Sequence, residues 1–234
     1  MAGQGARSAV RPALAVALHE LRSFVANPSV AVTAAMVVAF SWVFAGPFGF
    51  YPSFALSFMG FAGVGSLGGI ATTGILVDER SRGALGTLRR SGVPLAAVVA
   101  GKVAAGVLAA DALTFACALA AGFDVPAALL AALSMLLAAV PVILASAVAG
   151  LRGSDYQNAS LPATVMTLFC MGVGAARTFG LPVWPLPTGA AEELLAVLAF
   201  GATPCVPVVL SVAAGLAWSA AAGWLLVREV RRAG

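Results

Sequence analysis

The sequence predicts an all-α, polytopic membrane protein with six transmembrane helices. Three observations carry that expectation. Hydrophobic residues make up 61% of the 234 and charged residues only 9%, and the mean hydropathy is +1.01, well above the soluble range. Uncharged runs of the length needed to cross hydrocarbon, roughly 20 residues, recur too often for one buried soluble core. The basic residues fall in short connectors between those runs, which suits membrane topology and leaves no water-exposed basic face for nucleic acid.

An N-terminal amphipathic interfacial helix is expected over residues 11–27. Leu14, Leu18, Leu21 and Val25 recur at helical spacing while Arg11, His19, Arg22 and Ser23 take other faces. Such a helix lies along the inner leaflet with its arginines near lipid phosphates. Asn27-Pro28 ends it and turns the chain into the membrane. Because Arg11, Glu20 and Arg22 precede the first long apolar run, no cleaved signal peptide is expected.

The six crossings are expected at Ser29–Phe48, Ser53–Val77, Leu95–Ala121, Val125–Leu151, Ala159–Ala176 and Val208–Val227. Of the thirteen basic residues, Arg177 alone falls on the side opposite the termini. The positive-inside rule therefore puts both termini in the cytoplasm. The single lysine, Lys102, counts with the cytoplasmic set. Pro141 and Pro162 interrupt the fourth and fifth crossings as kinks or hinges. With no repeat and no linker, one transmembrane domain covers residues 1–234.

Before the last crossing, residues 177–207 form an outward insertion. Thr188 is placed to cap a short helix, with Glu192 and Glu193 in its first turn and Gly201 at its end. Its apolar residues suggest a helix dipping into the outer leaflet. Arg177, Trp184, Glu192 and Glu193 are candidates for an outer gate; interfacial anchoring and solvation are the alternative.

Asp111 lies near the middle of the third crossing, where a carboxylate costs about 2.5–3.5 kcal/mol. It is expected to face a cavity or a partner, or to stay protonated, and is a candidate pathway residue. Gly65 and Gly69 make a small-x-x-x-small pair for helix packing or a dimer seam. Cys117, Cys170 and Cys205 are spread without paired or ligand-like spacing, and His19 is the only histidine. No metal site is expected.

Residues 78–94 hold the chain's densest charge, in the stretch "LVDERSRGALGTLRRSGVPL". Its Glu79, Arg80, Gly83, Leu85, Leu88, Ser91 and Pro94 follow the order acid, basic, glycine, leucine, leucine, small polar, proline. This resembles the cytoplasmic coupling segment of type-2 ATP-binding-cassette permeases, with Ala84 in place of the usual threonine and Gly86 in place of a frequent acid. The resemblance extends to the N-terminal helix ending in Asn-Pro, the six crossings and the outward insertion. It implies a half-size exporter permease in a bacterial cytoplasmic membrane, with a cytoplasmic coupling helix between crossings two and three. The implied partners are an ATPase subunit in two copies and a second permease, identical or related, besides membrane lipid. Glu79, Arg80, Arg82, Gly83, Leu85, Leu88, Arg89 and Arg90 are then the ATPase-coupling residues, the leucines docking and the arginines orienting.

No cofactor is expected on this chain; ATP and Mg are expected on the ATPase. Gly101-Lys102 is the nearest approach to a phosphate loop, but Ala96 and Val103 occupy its glycine and hydroxyl positions. A cargo of drug, lipid or peptide class suits crossings so poor in charge. An ion-driven secondary transporter and a haem-export-type permease are the alternatives. A membrane enzyme is disfavoured, since the acids are scattered and the histidine is peripheral.

Overall fold

The computed structural model describes residues 2–46, 52–153, 155–201 and 206–233. Cys205 lies outside them. In chain order the helices are α1 (Ala2–Ala26), α2 (Pro28–Ala45), α3 (Pro52–Gly63), a π-helical stretch (Val64–Ile70), α4 (Ala71–Ser81) and α5 (Ala84–Arg90). They continue with α6 (Leu95–Ala120), α7 (Val125–Arg152), α8 (Tyr156–Thr178), α9 (Gly189–Phe200) and α10 (Val208–Ala233). No strand occurs among the described residues.

Several boundaries follow local chemistry that the sequence displays. The Asn27 side chain accepts the Ser29 N–H at 3.0 Å, and Pro28 opens α2, where its missing donor is not needed. Asp124 caps α7 in the same way, accepting the Ala127 N–H at 2.9 Å. Helix α1 begins well before residue 11 and runs through Pro12. Helices α7 and α8 likewise run unbroken through Pro141 and Pro162.

Five of these segments are long and apolar enough to cross a membrane: α2, the continuous rod Ala55–Ser81, α6, α7 and α10. Helix α8 has 23 residues, but Gln157, Asn158, Ser160, Thr164 and Thr167 dilute its apolar character. Helix α9, with 12 residues, is too short to cross.

At the centre stands α7, packed by α4, α6, α8, α9 and α10. Its buried Ala128, Ala131, Ala138, Ala139 and Ala147 keep the side chains short, so neighbouring backbones come close. Between two of them Thr73 Oγ1 of α4 donates to the Ser146 carbonyl of α7 at 2.9 Å. Phe61, Leu56, Met135 and Ile143 fill the remaining core. The outward faces of α2 (Val32, Met36, Phe40) and α8 (Leu161, Val165, Leu168) are exposed and apolar, as hydrocarbon-facing surfaces require.

Gly65 and Gly69 fall in the π-helical stretch and are both buried. The first lies against Thr167 of α8 and the second against Ser146 of α7. The small-residue pair is therefore occupied by packing within the chain and has no free face for a second copy.

Candidate functional site

The polar island folds as α5 and its two turns, projecting from the ends of α4 and α6. Both turns depend on glycine: Gly83 enters with φ 71° and Gly92 leaves with φ 86°, a region that L side chains rarely adopt. After α5 the Val93 N–H reaches back to the Leu88 carbonyl at 3.1 Å, closing the helix in a Schellman motif around Gly92.

The roots of this projection are tied to the bundle by charge. Lys102, only 2% exposed, donates to Glu79 Oε1 at 2.8 Å and also contacts Glu20 Oε1. A buried ammonium requires such partners, and here they come from α1, α4 and α6 together. Backbone geometry supports the junction, because Gly101 lets α1 approach α6 at Ala13 and Val16. On the other side, Arg80 donates to the carbonyls of Leu151 and Gly153, closing the C-terminal end of α7. The same end of α7 holds α10, through Arg152 donating to Glu229 at 2.6 Å.

The remaining coupling candidates divide. Arg82 pairs with Asp78 at 2.8 Å in the open, and Arg90 is exposed. Arg89 lies in α5. Leu85 and Leu88 are half-buried against this chain. Leu85 lines a cavity of 250 Å³ with Arg80 and Leu151. Leu88 lines a groove of 660 Å³ between α1 and α5, whose wall also carries His19, Glu20, Glu79 and Lys102.

At the opposite end of the bundle, three of the four gate candidates come together with a residue the sequence reading left out. Ser57 Oγ of α3 donates to Glu192 Oε2 at 3.1 Å, and Arg177 of α8 pairs with Glu193 at 3.2 Å. Both glutamates are almost completely buried. Burial pushes the Glu192 carboxyl up to about 7; the Ser57 hydrogen bond and Arg177 oppose this, while Glu193 adds to it. Trp184 is half-buried in the turn before α9, and the neighbouring Pro185 carbonyl accepts from Trp218 Nε1 at 2.9 Å.

Helix α9 itself packs closely against α7 and α10. Ala190, Ala191 and Leu195 are fully buried, and Ala190 meets Gly215 of α10. Alanines facing a glycine permit that close approach. Thr188 occupies the N-cap position without a side-chain capping bond, whereas Gly201 ends α9 in the left-handed conformation.

Asp111 stands apart from this cluster. It is half-buried on the flank of α6 beside exposed Leu108 and Ala112, and its buried Oδ1 has no hydrogen-bond partner. Cys117 and Cys170 are buried and free. Among the described residues no three His, Cys, Asp or Glu side chains are grouped to hold a metal ion.

Sequence reasoning missed the Glu20–Lys102–Glu79 triad and the Ser57–Glu192 bond. A signal for the first was present: the only lysine lies well inside an apolar run, where an ammonium needs carboxylates. Ser57 carried no signal, being one of many hydroxyls in apolar helices.

Helix number, apolar length and lipid-facing surfaces define a multi-pass helical membrane protein. No protein-family model matches the chain, and neither a curated protein nor a solved structure does.

Proposed function

We propose that the chain is the permease subunit of an ATP-driven exporter that moves an amphiphilic or hydrophobic cargo across a bacterial cytoplasmic membrane. In this reading α8 is the fifth of six crossings, both termini are cytoplasmic, and two permeases, identical or related, stand above two ATPase subunits. ATP and Mg are bound and used on the ATPases. The α5 projection is the coupling helix, and α9 is the outward insertion.

One observation carries this reading: an exposed, arginine-bearing helix is anchored by ion pairs and hydrogen bonds at both roots. A loop that only enforced topology would need arginines but no anchorage. With Arg80 on the end of α7, and Lys102 joining α1, α4 and α6, a push on α5 moves several helices as one body. Docking through α5 supplies that push when the ATPase pair closes on ATP.

The test is transport of a fluorescent amphiphile in vesicles holding the chain and a co-expressed ATPase. Uptake that needs ATP and ignores uncouplers supports the proposal. Uptake that persists without ATP and collapses with uncouplers overturns it in favour of an ion-driven carrier. Arg89→Glu is expected to reduce co-purification of the ATPase severalfold while membrane insertion is unchanged.

A further inference from the structure

Between the first half of α6 and the last turns of α10 the bundle surface opens into a trough of 530 Å³. Exposed Ala96, Ala100 and Ala104, one helical turn apart, make one wall; Val227 and Val230 make the other, over a floor of Leu144. Arg231 is the charged residue lining it. The neighbouring arginines are engaged within the protein: Arg152 and Arg232 share Glu229, and Arg228 lies over the Trp224 ring at 5.7 Å. Arg231 makes no ion pair with the described residues.

The lining decides what suits it. Ala96 to Ala104 gives the trough a length of about 12 Å. Alanine and valine side chains line that length, a surface that suits a hydrocarbon chain. Shape alone selects no particular lipid, because acyl chains are as apolar as leucine. Selection comes from the guanidinium at the mouth, which suits a phosphate oxygen pair.

We infer that this trough binds one acyl chain of an anionic phospholipid whose phosphate rests on Arg231, in the leaflet that meets the C-terminal end of α10. The site needs only that α10 crosses the bilayer and is independent of what the chain transports.

Native mass spectrometry of the purified full chain, mixed with equal amounts of phosphatidylglycerol and phosphatidylcholine of the same chain length, tests it. The wild type is expected to retain phosphatidylglycerol about fivefold over phosphatidylcholine, the effect of one basic residue near an anionic headgroup. Arg231→Gln abolishes the preference, and Arg228→Gln keeps it. Ala100→Leu, at an exposed position, fills the trough and lowers retention of both lipids without affecting folding. Equal retention by the wild type, or an undiminished preference in Arg231→Gln, overturns the inference. So does a dimer that dissociates on Ala100→Leu, since the trough would then be a protein interface.

Discussion

Lys102 donates to Glu79 across 2.8 Å while also touching Glu20, so one ammonium joins three helices that are far apart in the chain. Its Lys102→Met variant leaves the buried Glu20 and the part-buried Glu79 carboxylates without their shared cation. A loss of about 3–5 kcal/mol is expected for breaking such a pair from one side. Thermal unfolding of the purified protein in detergent reads it, with a smaller loss for Glu79→Gln because Glu79 is 26% exposed. An unchanged midpoint in Lys102→Met would contradict a structural role for the triad.

Arg80 and Arg82 are two residues apart and are expected to behave differently. Arg80 closes the end of α7 through two carbonyls, and charge-assisted bonds are worth about 1.5–3 kcal/mol. Arg82 and Asp78 are 75% and 54% exposed, and an open helical pair of this kind contributes about 0.3–0.5 kcal/mol. Arg80→Gln should lower the unfolding midpoint clearly and Arg82→Gln hardly at all. Equal effects would show that the α7 cap is not a tie.

Glu192 links stability to pH. Its folded value of about 7 stands above the ordinary 4.5, so between those two pH values the folded state holds more protons than the unfolded one. Stability therefore falls as pH rises through this window. Glu192→Gln removes the ionisable group while keeping an acceptor for Ser57. Its midpoint is expected to match the wild type near pH 4 and to exceed it at pH 8; a constant offset at both would remove Glu192 as the cause.

Gly65 and Gly86 make a contrasting pair. A methyl at Gly65 meets the Thr167 side chain at once, whereas Gly86 has open space around it. Gly65→Ala should cost about 1–3 kcal/mol through overpacking, and Thr167→Ala in the same chain should recover much of it. Gly86→Ala should be neutral or stabilising by up to about 1 kcal/mol, from helix propensity alone. Circular dichroism melts of the four proteins measure both statements.

Much of this architecture is legible one segment at a time. Asn27-Pro28, Asp124, Gly92 and Gly201 mark helix ends because capping is a local event. The apolar runs mark the candidate crossings for the same reason, since length and composition are properties of one stretch. What the sequence conceals is which distant polar residues meet. Glu20 reads as a flanking charge and Glu79 as part of the coupling segment, and only the close approach of α1 to α6 at Gly101 joins them to Lys102 in one junction. Glu192 and Glu193 suggest the exposed first turn of a helix. They are instead enclosed, because the alanines beside them let α9 settle against α10.

The π-helical stretch Val64–Ile70 sets the relative aim of two polar contacts. On its upper side Ser57 looks toward Glu192; on its lower side Thr73 looks toward Ser146. In an α-helix each residue advances the side-chain direction by about 100°, so the two hydroxyls keep their present bearings only while the intervening turn stays wide. Deleting one residue there, Ser66 for example, forces a choice between tightening the coil and holding both grips. The rod is thus a torsional dial, with one contact at each end and its setting written in the glycines between them.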